Sequence, residues 1–201
     1  MSAKDQSELP VQAFADAAEW ERWLSTQPAT STGLWLKFAK KASGVPTVSK
    51  PDAIDAALCH GWIDGQLKPF DENYWLIRFT PRRPKGKWSA INCKRAEALI
   101  EEGRMRPAGL AKIERAKVDG RWAAAYESQS RITVPDDLQQ ALDENEGAKA
   151  FFGTLDSANR YSVLYRVHTA TKPETRARTV EKLVAMLARG ETFHPRKGKP
   201  T

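Results

Sequence analysis

Two strand-like segments on either side of a short polar turn constrain the fold of this chain more than any other feature. Residues 62–70 and 73–80 are rich in β-branched and aromatic side chains, and Phe70-Asp71-Glu72-Asn73 connects them. The second segment alternates, with Tyr74, Leu76 and Arg78 on one face and Trp75, Ile77 and Phe79 on the other. The pattern predicts a β-hairpin, and therefore a sheet with at least one buried face.

Other patterns extend this sheet and place helices beside it. Val11 to Phe14 and Gly33 to Ala39 predict two more strands, and Asp16 to Gln27 predicts a helix that Asp16 caps. Ser89 and Pro107 each begin a further predicted helix. Three similar tetrapeptides predict helix starts in which a hydroxyl caps free N–H groups. These are Ser49-Lys50-Pro51-Asp52, Thr133-Val134-Pro135-Asp136 and Thr171-Lys172-Pro173-Glu174.

The periodicity changes after residues 121–132. From there on, apolar residues recur only at helical spacing, as in Val180, Leu183, Val184 and Leu187. The predicted fold class is α+β, with a small mixed or antiparallel sheet flanked by helices and an all-helical C-terminal segment. We predict an α+β domain over residues 1–125, a helical domain over 131–192 and a basic flexible tail over 193–201.

The positive charge of the chain is concentrated in one window. The sequence has 32 basic and 25 acidic residues, a net charge of +7. Seven of the basic residues and no acidic residue lie between Asn73 and Ala96, so the rest of the chain holds 25 of each sign. The seven are Arg78, Arg82, Arg83, Lys85, Lys87, Lys94 and Arg95. Exposed together, they would form a single patch suited to an anion or a nucleic acid.

Within this window, Thr80 to Ser89 is the strongest candidate site. Its arginines suit bidentate contacts with phosphate or carboxylate, Ser89 opens a helix whose N–H groups can hold an anion, and Trp88 can stack on a planar ligand. The alternative is a solvated loop in which Trp88 is a buried anchor. The candidate ligand-binding residues are Trp62, Asp64, Arg78, Arg82, Arg83, Lys85, Lys87, Trp88, Ser89 and Asn92.

The signals for catalysis are weaker. Asp64, beside Trp62, is expected to pair with Arg78 of the adjacent strand, either in a structural ion pair, which we favour, or as an acid or base of an active site. His60 and Asp64 would meet only if their helix continued that far. Cys59 is expected near a helix end, where the dipole opposes a thiolate. We assign no catalytic residue.

Several kinds of site and location are not indicated. The three histidines are far apart, so no metal site is expected, and no phosphate-loop or dinucleotide motif predicts a cofactor. Cys59 and Cys93 do not suggest a disulfide framework. There is no apolar stretch of about 18 residues and no apolar signal-peptide core near the N-terminus, so we expect a cytoplasmic protein without a transmembrane segment.

Taken together, the motifs resemble the YdeI/OmpD-associated family, also called bacteriocin-protection proteins. The resemblance extends from about Trp35 to Gly190, and the helices from Lys172 to Gly190 look like the characteristic tail of that family. His60 and Thr179 depart from it, since an aromatic and a basic residue are usual there. The matching stretches are Gly61 to Gln66, Tyr74-Trp75, Arg78 to Arg82, Lys87-Trp88-Ser89 with Asn92, and Glu102 to Met105.

The resemblance implies resistance to bacteriocins or cationic peptides and brings no established catalytic residue. A chain of charge +7 repels a cationic peptide at long range, so we expect any protection to be indirect, through an anion, a nucleic acid or a protein partner. The leading hypothesis is a non-catalytic cytosolic binding protein. The alternatives are a nucleic-acid-binding accessory protein that uses residues 78–95, and an enzyme that acts on an anionic small molecule.

Overall fold

A computed structural model describes residues 9–195 of the chain. Four strands and eight helices occur in this range. The N-terminal elements are β1 (Val11–Gln12), α1 (Ala17–Thr26), β2 (Leu34–Ala39), α2 (Lys50–Cys59), β3 (Trp62–Pro69), β4 (Tyr74–Pro81), α3 (Ala90–Glu101) and α4 (Pro107–Val118). The C-terminal elements are α5 (Asp136–Asp143), α6 (Glu146–Gly153), α7 (Ser157–His168) and α8 (Pro173–Ala188).

The helices begin near the predicted positions, but only some of the predicted capping residues form caps. Asp16 and Ser49 cap α1 and α2 as predicted, each accepting a backbone N–H bond three residues on. The hydroxyl caps predicted for Thr133 and Thr171 are wrong. Relative to its proline, each of these helices begins later than α2 does, so the capping positions fall to Pro135 and Lys172, which form no side-chain cap.

The strands form one mixed sheet in the order β1-β2-β4-β3. β1 runs parallel to β2, whereas β2 and β3 both pair antiparallel with the central strand β4. The hairpin of β3 and β4 is the predicted one, and a bulge between Asp64 and Leu67 shifts its register. The predicted α+β class with a small mixed sheet is confirmed.

One face of the sheet carries the core of this half. Leu36 and Ile77 lie opposite each other there, with α1 and α2 supplying the second layer. Trp20 of α1 is fully buried, donates its indole N–H to the Ala53 carbonyl at 3.1 Å, and stacks on Trp23. Because one side chain meets both helices and the sheet, we regard Trp20 as the centre of this core.

The chain separates into two compact units. The sheet unit comprises the residues up to Lys87 together with Asn92–Ala123, and the helical unit comprises Trp88–Ile91 with the residues from Ala124 on. That residues 1–125 and 131–192 fold as separate domains stays a prediction. Leucines and valines of α5, α7 and α8 form the core of the helical unit.

The end of the described chain contacts the helical unit. Phe193 packs against its core, and the His194 N–H donates to the side chain of Asn159 at 2.9 Å. The predicted flexible tail of residues 193–201 therefore begins with anchored residues, while 196–201 lie outside the described residues.

Candidate functional site

The second face of the sheet brings basic and aromatic side chains together. Alternate residues of a strand point to opposite faces, and Trp35 of β2 lies directly opposite Arg78 of β4. Lys37 of β2 and Lys68 of β3 both lie opposite Leu76, which is on the same face as Arg78. We call this surface the Arg78 face and define it by Trp35, Lys37, Lys68, Tyr74 and Arg78.

The lysines of the Arg78 face lie over aromatic rings. The Lys68 ammonium is 4.1 Å from the centre of the Trp35 ring, and the Lys37 ammonium is 4.0 Å from that of Tyr74 and 4.7 Å from that of Phe70. Trp35 is buried, whereas Phe70 is 48% exposed. The rings therefore hold one ammonium group on each side of Leu76 without neutralising its charge.

Arg78 is the least satisfied of these cations. Its Nε–H is buried and meets no acceptor among the described residues. The guanidinium lies against the backbone of Gly65, where a Cβ would be 3.6 Å from Nε and Nη2. Arg78, Lys37 and Lys68 form no ion pair with residues 9–195. A guanidinium with an unused N–H on the same sheet face as two ammonium groups is suited to a phosphate or carboxylate ligand.

The predicted Asp64–Arg78 ion pair is wrong. Asp64 lies opposite Phe79, so its side chain belongs to the core face, whereas Arg78 points to the other face. Trp62 is also on the core face, where it is buried and meets Trp23 edge-on at 5.5 Å. The structure therefore keeps Trp62 and Asp64 apart from Arg78, and one pocket does not hold all three.

The two groups at the end of α2 are structural. The helix stops at Cys59, His60 is its C-cap, and Asp64 already belongs to β3, so His60 and Asp64 are not helical neighbours. Burial lowers the pKa of His60 and raises the pKa of the Cys59 thiol, an effect that Arg104 partly offsets. A buried thiol with a raised pKa is a poor nucleophile.

The basic window does not form the single exposed patch that its composition suggests. Arg82 is 5% exposed, and its charge counteracts the burial that raises the pKa of Cys93 to about 11. The side chain of Arg95 forms a bidentate ion pair with the buried Asp55. Two of the seven cations are thus committed inside the sheet unit, and a third, Arg78, belongs to the sheet face.

The remaining residues of the predicted site fall into an exposed group and a covered group. Arg83, Lys85 and Lys87 are exposed in a loop that Arg121 holds by donating to the Gly86 carbonyl at 2.7 Å. Desolvation lowers the pKa of Lys87. Trp88, Ser89 and Asn92 follow, with Trp88 3% exposed and the other two half-buried.

Trp88 has the role of the buried anchor. Its carbonyl accepts the Tyr126 N–H at 3.1 Å, and the Tyr126 carbonyl accepts the Ala90 N–H at 2.9 Å. These two bonds place Trp88 and Ser89 beside Tyr126 in the helical unit. A ring so fully covered has no free face on which a planar ligand could stack.

Sequence reasoning found Arg78 but missed its neighbours. Trp35 and Lys37 could have been placed on one face from the alternation of β2, but their position beside Arg78 depends on strand order and register. Lys68 lies beyond the bulge in β3, which changes the face on which the following residues point. Among residues 9–195 there is no cluster of possible metal ligands and no helix long and apolar enough to span a membrane.

Comparison with known proteins finds two family matches, one in the N-terminal part of the chain and one in the C-terminal part. A family described as a domain of unknown function (DUF8412) matches residues 12–112, half of the chain. A second, described as bacteriocin-protection, YdeI or OmpD-associated, matches residues 131–190. The chain belongs to the DUF8412 family and carries a YdeI/OmpD-associated (OmdA) domain. No curated protein and no solved structure matches it.

The two matches refine the predicted resemblance. It is confirmed for the OmdA domain, although the stretch from Lys172 to Gly190 contains one helix, α8, and not the expected helix pair. The motifs between Gly61 and Met105 fall instead in the DUF8412 region, together with all five residues of the Arg78 face. The Arg78 face is therefore a feature of the DUF8412 region and not of the OmdA domain.

Proposed function

We propose that this chain is a non-catalytic cytosolic binding protein that holds an anionic, phosphate-bearing ligand on the Arg78 face. The observation that supports the proposal most directly is the buried Nε–H of Arg78, which has no acceptor among the described residues. A charged donor left unsatisfied costs about 1–3 kcal/mol, and an anionic ligand would remove that cost. Lys37 and Lys68 add charge on the same face.

The cellular role belongs to the same proposal. The OmdA domain has the family description of bacteriocin protection, and we propose a role in stress or cationic-peptide resistance by an indirect route. The net charge of +7 supports the indirect route because it repels cationic peptides. Two buried free cysteines are compatible with a reducing cytosol.

A nucleic acid is the second candidate ligand. Phe70 is half exposed beside Lys37 and Tyr74, and cations interleaved with aromatic rings on a sheet are typical of surfaces that bind single strands. The enzyme hypothesis depended on one pocket that joins Trp62, Asp64 and Arg78. The register places Trp62 and Asp64 on the face opposite to Arg78, which removes the basis of that hypothesis.

The test is a titration of the protein with pyrophosphate and with RNA and DNA oligonucleotides at two salt concentrations. Arg78→Gln is expected to weaken binding about tenfold, since a hydrogen bond to a charged group contributes about 1.5–3 kcal/mol. For an oligonucleotide, the slope of log K against log salt should fall by about 1. The thermal midpoint should stay at or above that of the wild type, because the variant loses a buried N–H that has no acceptor among residues 9–195.

Two control variants locate the site. Arg115→Gln removes the same charge from an exposed position of α4 and should change the affinity less than twofold if local contacts dominate. Arg83→Ser with Lys85→Ser removes two of the three exposed loop charges and leaves Lys87 in place. If that pair weakens binding while Arg78→Gln does not, the ligand binds at the loop and the Arg78 face is the wrong site. If the wild type binds none of the three probes, the anion-binding proposal itself is wrong.

A further inference from the structure

The OmdA domain has an open apolar groove between α5 and α8. Its volume is about 710 Å³. Small or short side chains form its floor, so a second helix can approach closely. They are Ala141 of α5 and Ala177, Val180, Val184 and Ala185 of α8. Ala177 and Ala185 are exposed, which leaves this stripe of α8 open to solvent.

The edge of the groove is negatively charged. Asp137 and Arg176 line it but neutralise each other through two hydrogen bonds of 2.6 and 2.9 Å. Glu144 and Glu181 remain, and neither forms an ion pair with a described residue. Glu144 is also the C-cap of α5, where the helix dipole adds further negative potential.

We propose that this groove binds an amphipathic helix of a partner protein that carries basic side chains next to its apolar stripe. The apolar residues of that helix, three or four positions apart, would lie on Ala177 and Val184, as in other complexes in which a helix occupies a groove. Its lysines or arginines would pair with Glu144 and Glu181. This site is separate from the Arg78 face and does not depend on it.

The dimensions of the groove favour a single helix over a globular surface. α5 has 8 residues, so at about 1.5 Å per residue it gives a contact length of about 12 Å. That length matches about two helical turns. A stable interface between globular proteins buries about 800 Å² on each partner and needs a broader surface than this one.

The charge of the chain favours a helix carried by a protein over a free cationic peptide. The net charge of +7 on this chain repels a free peptide that carries many lysines. A protein that presents only a few basic residues on one helix can be neutral or acidic elsewhere. It then gains the local attraction of Glu144 and Glu181 without the long-range repulsion.

Three synthetic peptides of about 14 residues, long enough for partial helicity in water, test the proposal on the full chain. The first has an apolar stripe flanked by a pair of lysines, the second has glutamates in place of those lysines, and the third has lysine at every polar position. By fluorescence anisotropy, the first should bind about tenfold more tightly than the second, since two ion pairs contribute about 0.2–1 kcal/mol each. The first should also bind more tightly than the third.

Variants of α8 with matched controls locate the contact. Ala177→Trp fills the groove and should weaken binding of the first peptide at least about tenfold, whereas Ala188→Trp, exposed on the same helix but outside the groove, should not. Glu181→Gln should weaken it about threefold, and the exposed Glu174→Gln should leave it unchanged. Glu181→Gln keeps side-chain size, so it also tests the groove if Ala177→Trp disturbs folding.

Each contrary result overturns a stated part of the proposal. Equal binding of the lysine and glutamate peptides would show that the acidic edge does not select the occupant. Tighter binding of the lysine-rich peptide would identify a free cationic peptide as the occupant. No binding of any peptide, or equal losses with Ala177→Trp and Ala188→Trp, would show that the groove is not a docking site. Arg78 belongs to the sheet unit and the groove to the helical unit. The effect of Arg78→Gln on phosphate binding therefore tests the proposed function independently of the peptide experiments.

Discussion

The sheet unit and the helical unit build their cores from different side chains. Rings dominate the first, where Trp20 meets Phe14, Trp23 and Phe79 at centre distances of 5.2–5.4 Å. Aliphatic side chains dominate the second, where Leu138 and Leu187 are fully buried. Large rings concentrate much buried area in few residues, so a sheet of four short strands can be stabilised by a small number of positions.

The two units also differ in charge. Residues 9–123 contain 19 basic and 13 acidic residues, whereas residues 124–195 contain 9 basic and 10 acidic ones. Among the described residues, the positive excess is therefore a property of the sheet unit. Ligands that respond to charge should distinguish the units, and this is why an anion on the sheet and a basic helix on the OmdA domain are compatible proposals.

The largest expected effect comes from the aromatic core. Trp20→Ala removes a fully buried ring and its hydrogen bond to Ala53, and should lower the free energy of unfolding of the sheet unit by about 3–5 kcal/mol. Leu138→Ala in the helical core should cost less, about 2–4 kcal/mol. Urea denaturation followed by near-ultraviolet circular dichroism measures both. A larger loss for Leu138→Ala would contradict the idea that the sheet unit depends on fewer positions.

The next effect concerns the buried ion pair of the sheet unit. Arg95→Met leaves the carboxylate of Asp55, whose side chain is 7% exposed, with Arg104 at 3.7 Å as its one ion-pair partner among residues 9–195, and should cost about 3 kcal/mol. Asp55→Asn leaves Arg95, which is 40% exposed and can be solvated, so it should cost less. Chemical denaturation of both variants gives the comparison.

A double variant separates desolvation from attraction in that pair. Arg95→Met combined with Asp55→Leu removes both charges and should be more stable than Arg95→Met alone, because no unpaired buried charge remains. If the double variant is the less stable of the two, the carboxylate is solvated well enough without Arg95, and the explanation from burial is wrong.

The parts of the fold that depend on local chemistry were predictable from the sequence. The cap at Ser49, the hairpin of β3 and β4 and the four C-terminal helices follow from side-chain periodicity and turn residues. The hydroxyl caps at Thr133 and Thr171 failed because a proline near a helix start does not fix which residue becomes the cap.

The candidate site was less predictable because it depends on register. Asp64 and Arg78 lie on paired strands, and a shift of one residue decides whether they share a face. The bulge after Asp64 and the placement of β2 beside β4 arise from the packing of the sheet, which a single strand pattern does not contain. Local sequence also did not reveal that Arg82 is buried or that Arg95 pairs with a residue 40 positions away.

The smallest expected effect is the pH dependence of an ion pair in the helical unit. A hydrogen bond from Arg176, followed by its charge, lowers the pKa of Asp137. The pair therefore contributes stability that is present above the ordinary aspartate pKa of about 3.9 and is lost as the pH falls through the lower folded pKa. Since the side chain of Asp137 is 42% exposed, we expect only about 1 kcal/mol from this pair at neutral pH.

Asp137→Asn should show this loss as a difference from the wild type that shrinks in acid. Thermal unfolding at neutral pH and at pH below about 4 measures the difference, and the other carboxylates cancel because both proteins contain them. Asp136→Asn is the matched control, since Asp136 is also exposed in the first turn of α5 and near its positive dipole end but forms no ion pair with a described residue. If Asp136→Asn loses as much stability as Asp137→Asn, the helix dipole and not Arg176 accounts for the effect. A difference that stays constant from neutral pH into acid would show that the contact of Arg176 with Asp137 does not depend on the carboxylate charge.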